Sequence, residues 1–369
     1  MKLFSRSTKD VLIAAFDIGS SSVGGILFFC YPNRVPQILV TSRIPMDFLP
    51  NLNFGKIQRS LYKTFERVAA ALKKQIPQGR KKPDLVLIMF SSPYYVSQTK
   101  IIKLPELKPF KITDKFLKNL IADEITSFKK QWQGTEIIEI EKMKTDTDFD
   151  HLKIPLYMSL GIKSMQEKFQ EYILHIFGET NVRFHSFPFV AFNALKTVMD
   201  ISEDLILVDI GGETTDLMLI RNGILEETIS FPLGENFLIR KIAAAFHFPL
   251  EESFFLLRQY VRKDLHADTH KKVREIVENT TAKWCQFFED SFKESPDFSS
   301  SRNLLFIGGK GALIFKDFSL CIKEKPLKSR FLLAEAFKNH FDFKRGFSED
   351  HDISLMISAL FTDQLLLNH

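Results

Sequence analysis

The chain has 369 residues, which is more than a single hydrophobic core usually supports, so its length predicts at least two lobes. Its 50 Lys and Arg residues against 45 Asp and Glu residues give a formal net charge of +5. This mild excess lacks the concentrated basic surface of nucleic-acid-binding proteins, so we expect no nucleic-acid partner. The three cysteines form no Cys-x-x-Cys pair, which favours a reduced, cytoplasmic compartment.

Residues 1–90 have the pattern of a sheet with one covering helix. Apolar runs between residues 11 and 44 predict three strands. Apolar positions at helical spacing then predict a helix over residues 55–76, which Pro77 ends. The apolar run that follows Asp84 predicts a buried strand. We therefore assign residues 1–90 to a first lobe.

The pattern changes over residues 91–152. An amphipathic helix is predicted from Thr113 to about Lys130, with a strand on each side of it. We expect this block to form a small α+β subdomain inserted into the first lobe. The first lobe then resumes over residues 153–200 with a buried strand, a helix and a second helix that starts near Pro188, because proline is favoured in the first helical turn.

Residues 201–369 predict a second lobe. A β-hairpin is expected with its turn at Asn222-Gly223, since this dipeptide suits the tight turns of hairpins. Helices dominate the region of about 235–300, which we assign to a helical subdomain of this lobe. The last predicted helix runs from about Ser348 to Leu367.

Two aspartates end apolar strands in the same way, although almost two hundred residues separate them. Asp17 lies in AAFDIGSSSVG and Asp209 lies in LILVDIGGETTDL. In such a turn the small residues let backbone N–H groups approach a phosphate closely, while the carboxylate holds a metal ion or its waters. A third glycine-rich turn, LLFIGGKGAL, follows another apolar run. One such turn is weak evidence, but three in this order indicate a nucleotide site.

In this order the three turns resemble the phosphate 1, phosphate 2 and adenosine motifs of the superfamily of actin, sugar kinases and heat-shock chaperones. The block at residues 91–152 sits where the bacterial cell-division protein FtsA and the pilus-assembly protein PilM carry an inserted subdomain. Within the superfamily the chain resembles these two families most. The resemblance implies an α/β, actin-like (ribonuclease H-like) two-lobed fold with an inserted small α+β subdomain.

The resemblance also implies ATP and Mg²⁺ as ligands and assigns residues to them. Asp17 and Asp209 would position the magnesium ion, mainly through its waters, since Mg²⁺ usually takes only one or two carboxylates. The nucleotide would contact the turns, at Gly19, Ser20, Ser21, Ser22, Gly211, Gly212, Thr214, Gly308 and Gly309. No catalytic residue is assigned.

The sequence departs from the family pattern on the nucleoside side of the expected site. Relatives of FtsA usually have an Ala-Glu-x-x-Lys pattern whose Glu and Lys reach the nucleoside, whereas this chain has Phe254 and Leu257 at those positions. Glu251, Glu252 and Arg258 are adjacent, but each residue of slippage rotates a helical side chain by about 100°. The resemblance therefore does not predict the ribose contact.

Three further departures bear on the phosphates and on turnover. Glu213 places a negative charge beside the expected phosphates, at a cost of ~1 kcal/mol or more unless it is solvated or paired with a metal. Lys310 replaces a glycine of the adenosine turn. Phe187 precedes Pro188, where a polar residue often orients the attacking water. Because binding survives such changes more readily than hydrolysis does, we expect at most a weak ATPase.

We therefore predict a cytoplasmic actin-like adaptor or scaffold of FtsA or PilM type that binds ATP weakly or hydrolyses little of it. Its partners would be proteins of a division or pilus machine, bound through the inserted subdomain, with self-association also open. The final LFTDQLLLNH lacks the basic amphipathic helix by which FtsA attaches to membrane. Contact with the inner face of the membrane is thus expected only through partners. Two alternatives remain: a nucleotide-free pseudo-ATPase scaffold and a sugar-kinase-like phosphotransferase.

Overall fold

The computed structural model places the chain in two lobes and one inserted subdomain. The residues that it describes are 10–47, 53–103, 114–143, 153–201, 203–294, 303–307, 314, 321–322 and 325–367. Within these ranges no helix has both the length and the apolar character needed to cross a membrane.

A six-stranded sheet forms the centre of the first lobe. Its strands are β1 (Val11–Ile18), β2 (Ser22–Tyr31), β3 (Arg34–Pro45), β4 (Leu85–Phe90), β8 (Asn181–Ser186) and β16 (Asp342–Phe343). Their order in the sheet is β16-β3-β2-β1-β4-β8. β1 runs antiparallel to β2 and parallel to β4, which is parallel to β8. Both faces of the sheet are covered, which explains why β1 and β4 are apolar along almost their whole length.

Helices cover the two faces of this sheet. One face carries α1 (Phe54–Lys73) and α3 (Lys163–Phe177), and the other carries α4 (Phe187–Val198) and α8 (Ile353–Leu367). Successive side chains of a strand point to opposite faces. Leu12 and Phe16 of β1 accordingly pack with α1 and α3, whereas Ile13 and Ala15 pack with α4 and α8.

The predicted starts of α1 and α4 agree with the structure. Asn53 caps α1, because its Oδ1 accepts a hydrogen bond of 3.0 Å from the backbone N–H of Lys56. Pro188 lies in the first turn of α4, where a proline removes no helical hydrogen bond.

The second lobe has a five-stranded sheet covered by helices. Its strands are β9 (Leu205–Ile210), β10 (Thr215–Arg221), β11 (Ile224–Phe231), β12 (Asn303–Phe306) and β15 (Lys328–Phe331), in the order β11-β10-β9-β12-β15. Asn222 and Gly223 form the predicted hairpin turn with positive φ angles of 50° and 69°. The remaining elements are α5 (Glu235–Phe246), α6 (Leu250–Arg262), α7 (Ala267–Glu294), the paired β13 (Cys321–Ile322) and β14 (Lys325–Pro326), and a 3₁₀ helix (Ala334–His340).

The C-terminal segment differs from the expected lobe boundary, which placed all of residues 201–369 in the second lobe. β16 pairs with β3, and α8 packs against α4, β1 and β2. α8 is apolar on nearly every side, and such a helix needs cover all round. It finds this cover between the two sheets, because Leu207 and Met218 of the second sheet share its core.

The inserted subdomain consists of a three-stranded sheet and one helix. Its elements are β5 (Tyr95–Lys103), α2 (Asp114–Gln131), β6 (Thr135–Lys142) and β7 (Lys153–Ile162), with strand order β5-β7-β6. α2 agrees closely with the helix predicted from Thr113 to about Lys130. β7 differs from the expectation, which assigned residues 153–200 to the first lobe. As the central strand of a small sheet it is largely buried, so its apolar run resembles that of a lobe strand.

A buried carboxylate joins this subdomain to the first lobe. Oε2 of Glu139 on β6 accepts hydrogen bonds from the hydroxyls of Ser159 (3.0 Å) and Ser186 (2.6 Å), and from the Ser186 backbone N–H (3.2 Å). Its Oε1 lies 2.6 Å from Nδ1 of His185 on β8. A buried carboxylate is tolerated only when it is hydrogen-bonded in this way, so Glu139 fixes the subdomain on the end of β8.

We expect Glu139→Ala to lower the free energy of unfolding by ~3 kcal/mol or more, because it leaves several buried donors without an acceptor. Urea denaturation measures this loss. Glu136→Ala on the same strand is the matched control. Glu136 makes a solvent-exposed ion pair with Lys129 and accepts a 3.3 Å hydrogen bond from the backbone N–H of the adjacent Ile137, so its loss should cost ~1 kcal/mol or less. Equal losses in the two variants would contradict the role given to Glu139.

Candidate functional site in the cleft between the lobes

The two aspartate turns meet at one cleft. A cavity of about 610 Å³ lies there, and a volume of this size accommodates a nucleotide-sized ligand. Every predicted site residue within the described ranges lines it: Asp17, Gly19, Ser20, Ser21, Ser22, Asp209, Gly211, Gly212 and Thr214. Gly308 and Gly309 fall outside those ranges, although Phe306 at the end of β12 lines the same cavity.

The two turns have the same internal hydrogen bond. The backbone N–H of Gly19 donates to the Ser22 carbonyl at 3.1 Å, and that of Gly211 donates to the Thr214 carbonyl at 2.9 Å. In both lobes the turn connects a strand to its antiparallel neighbour, β1 to β2 and β9 to β10. The duplication inferred from sequence is therefore present in the backbone.

The turns also contact each other directly across the cleft. The backbone N–H of Glu213 donates to the Ser20 hydroxyl at 2.9 Å. Gly212 packs so tightly on the first turn that a Cβ at this position would lie 2.0 Å from Cβ of Ser21. Only glycine fits at Gly212, because nothing larger leaves the turns in contact.

Arg43 of β3 contacts the first turn at Asp17, one of the two predicted metal ligands. Its Nη2 lies 2.6 Å from Oδ2 of Asp17, and its Nη1 lies 2.9 Å from the Ser22 hydroxyl. The same guanidinium forms a two-pronged ion pair with Asp352, just before α8. Burial opposes ionisation of Asp352, but Arg43 outweighs it and holds the pKa of Asp352 below its usual value. Burial raises the pKa of Asp17, although Arg43 acts in the opposite direction.

Asp209, the other predicted metal ligand, has acidic neighbours instead. It is paired in register with Asp216 on β10. Burial, reinforced by the carboxylates of Asp216 and Asp17, raises the pKa of Asp209 to about 8. At neutral pH its folded form is thus mainly protonated, and a magnesium ion would have to displace this proton in order to bind Asp209.

The charge of Glu213 is neutralised within the protein. Arg240 of α5 binds it through two contacts, Nη1 to Oε1 at 3.0 Å and Nη2 to Oε2 at 2.7 Å. The side-chain amide of Asn236 also donates to Oε1 at 2.8 Å. From the sequence, solvent or a metal ion could offset the charge of Glu213. In the structure Arg240 does so instead. The expected repulsion of phosphates is therefore largely removed.

On the side of the cavity where the family pattern would contact the nucleoside, the charged residues differ from that pattern. Leu257 is buried, and Phe254 packs in the core of the second lobe. Arg258 and Glu235 line the cavity instead, and the guanidinium of Arg258 lies 4.8 Å from the ring centre of Phe254. No sequence motif indicated Glu235, because it begins α5 and lies outside the family pattern.

The geometry does not fit a magnesium ion held by Asp17. Oδ2 of Asp17 contacts Arg43, and Oδ1 is buried beyond the reach of water, without a hydrogen-bond partner among the described residues. Within the same ranges, no group of three or more His, Cys, Asp or Glu side chains is arranged to hold a metal ion, although Mg²⁺ bound through its waters needs only one or two carboxylates. The metal role expected for Asp17 and Asp209 stays a prediction that this arrangement does not favour.

Comparison with solved structures identifies the fold. PilM, in the structure described as the PilM-PilN type IV pilus biogenesis complex, aligns with a TM-score of 0.68 over 98% of this chain and 99% of that chain, at 13% identity. The chain has the actin-like ATPase fold. This confirms the predicted fold class and the resemblance to PilM.

Two further actin-like structures align over nearly the whole chain with lower scores. MreB 5 of Spiroplasma citri bound to AMPPNP gives a TM-score of 0.48 at 12% identity, covering 98% of each chain. The ethanolamine utilization protein EutJ from Carboxydothermus hydrogenoformans gives 0.47 at 13% identity, covering 97% of this chain and 90% of that chain. No protein-family model and no curated protein matches the sequence.

We expect Asp209→Asn to stabilise the protein increasingly as the pH rises. The pKa of Asp209 is raised from 3.8 to about 8, so between these values the unfolded chain has lost a proton that the folded protein keeps. The wild type therefore loses stability across this window, by at most ~1.4 kcal/mol per pH unit. Asn lacks this titration, and the advantage of the variant should level off above about pH 8.

Urea denaturation from pH 5 to pH 9 tests this expectation. Asp123→Asn, on the exposed face of α2, is the control and should show no such trend. A gain from Asp209→Asn that is the same at every pH would contradict the assigned pKa of Asp209.

Proposed function

We propose that this chain is an actin-like scaffold or adaptor of a type IV pilus machine, with little or no ATP turnover. The whole-length likeness to PilM, which was solved in a complex with PilN, supports the pilus rather than the division role. The scaffold role is supported by the state of Asp17 and Asp209 in the cleft. A nucleotide, where one is bound, would serve as a weakly held structural ligand.

The observation that carries the proposal is that three described residues, at the two aspartate turns and at the start of α4, are not in a state to activate water. Phe187 at the start of α4 is 1% exposed and belongs to the core. Asp17 is engaged by Arg43, and the raised pKa of Asp209 leaves it mainly protonated at neutral pH. Hydrolysis needs a group that orients or deprotonates the attacking water, and these three residues do not supply one.

The inserted subdomain is the surface that we propose for protein partners. It is held rigidly, through Glu139 to the first lobe and through the Thr99 hydroxyl, which donates to the Leu225 carbonyl of the second lobe at 2.6 Å. At the end of α2 it exposes Trp132, which is 44% accessible. Exposed tryptophans are frequent anchors of protein interfaces. The chain would act on the cytoplasmic side and reach the membrane only through such partners.

A nucleotide-free pseudo-ATPase is the second candidate, and the contact between Arg43 and Asp17 favours it. In this form the chain keeps the fold for its shape and binds no nucleotide. The sugar-kinase alternative would need a catalytic base beside a sugar pocket. The two aspartates of the turns do not favour it, because Asp17 is paired with Arg43 and the pKa of Asp209 is raised to about 8.

We expect Trp132→Ala to weaken binding of the same organism's PilN-type protein by at least ~10-fold, because the substitution removes an exposed aromatic anchor. Isothermal titration calorimetry measures the change. Leu174→Ala is the matched control, since Leu174 is 56% exposed on α3 of the first lobe and should leave affinity unchanged. If wild type shows no binding, or both variants bind equally well, the inserted subdomain is not the docking surface.

We also expect phosphate release from Mg-ATP to stay at background for the wild type, with or without sugars. Asp209→Ala is the reference, because it removes a predicted metal ligand without adding a new group. A wild-type rate clearly above that of Asp209→Ala would mean that the cleft hydrolyses ATP, and sugar-dependent transfer would establish the kinase alternative.

A further inference from the structure

We propose that the Arg43 guanidinium is a permanent internal cation, which takes the place of a divalent metal beside Asp17 and holds the first phosphate turn in position without one. The inference deepens the proposed scaffold role of the cleft and rests on it. It concerns only the phosphate side of the cavity.

All three nitrogens of the guanidinium are engaged. Nη1 contacts Ser22, Nη2 contacts both Asp17 and Asp352, and Nε contacts Asp352. A planar fork that satisfies two carboxylates at once gives the strongest kind of charge-assisted hydrogen bonding. Arg43 therefore engages Oδ2 of Asp17 as a hydrogen-bonded ion pair and not as a passing contact.

The chain makes room for this arrangement. Gly24 on β2 lies directly opposite Arg43 on β3 in the strand register. A Cβ at Gly24 would lie 2.7 Å from Nη2 of Arg43 and 3.0 Å from a side-chain carbon of Leu355. Any larger residue at Gly24 would push the guanidinium away from Asp17, so the sequence accommodates the arginine at this position.

A divalent ion at Asp17 would meet two obstacles. Oδ2 already contacts Arg43, and Oδ1 has almost no solvent-accessible surface. An incoming dication would also lie within a few ångströms of the fixed positive charge of Arg43, and like charges repel strongly in a partly buried site. The guanidinium and the metal therefore compete for one carboxylate.

The same arginine connects the turn to the helix between the lobes. Asp352 accepts a hydrogen bond from the Leu355 backbone N–H at 3.1 Å through Oδ1, so it caps the start of α8. Arg43 thus ties Asp17 and Ser22 to α8. A metal-bound nucleotide is not needed to assemble these elements.

Binding of Mn²⁺ and Mg²⁺ alone tests the inference. We expect the wild type to show no submillimolar binding of MnCl₂ by electron paramagnetic resonance and no increase of Tm with MgCl₂. Arg43→Gln should melt at lower temperature without metal, because Asp17 and Asp352 lose their partner. It should gain Mn²⁺ binding and a Tm increase with MgCl₂. Asp17→Asn in the Arg43→Gln background should abolish that gain.

Two control variants distinguish loss of the positive charge at position 43 from general destabilisation of the cleft. Arg43→Lys keeps the positive charge and should gain no metal binding. Arg240→Gln breaks a comparable two-pronged pair with Glu213 at the other turn and should melt at lower temperature without any response to metal. A Tm increase with MgCl₂ in Arg240→Gln would show that loosening the cleft, and not removal of Arg43, creates the site.

Submillimolar Mn²⁺ binding to the wild type overturns the inference even if Arg43→Gln fails to fold. A folded Arg43→Gln that gains no metal binding also overturns it. Neither result affects partner binding or the background rate of phosphate release, on which the scaffold role is judged. Conversely, loss of partner binding leaves the metal measurements unchanged.

Discussion

The ion pair between Arg43 and Asp17 sets the geometry of the cleft. A buried carboxylate must be paired. The partner of Asp17 on β1 is Arg43 on β3, two strands away in the same sheet. Through Asp352 the same guanidinium fixes the start of α8. α8 in turn fills the space between the two sheets. One arginine therefore links the first phosphate turn to the helix on which the packing of both lobes depends.

The sequence was sufficient to predict most elements, because their apolar patterns are local. The turn at Asn222-Gly223, the cap of α1 and the extent of α2 are all specified by neighbouring residues. The expected positions of β7 in the first lobe and of α8 in the second lobe differ from the structure for a common reason. An apolar run indicates that a segment is buried, but it does not say which sheet buries it, and both segments lie at boundaries between units.

The shape of the two turns was predictable to the same degree. Their glycines and serines line the cavity as expected, since a tight turn needs such residues within a few positions. Arg43 and Asp352 are more than three hundred residues apart in sequence, and no local pattern connects them. The partner of Glu213 was not predicted although Arg240 lies on the next helix, because no sequence motif connects the two residues. The charge distribution of the cleft depends on ion pairs between residues distant in sequence, and local motifs do not predict such pairs.

The inserted subdomain touches both lobes, through Glu139 on one side and through the hydrogen bond from Thr99 to the Leu225 carbonyl on the other. β5 and β11 are thus in contact across the boundary. Any rotation that opened the cleft would have to slide these two strands past each other. The position of the insertion and the angle between the lobes are therefore coupled through these contacts.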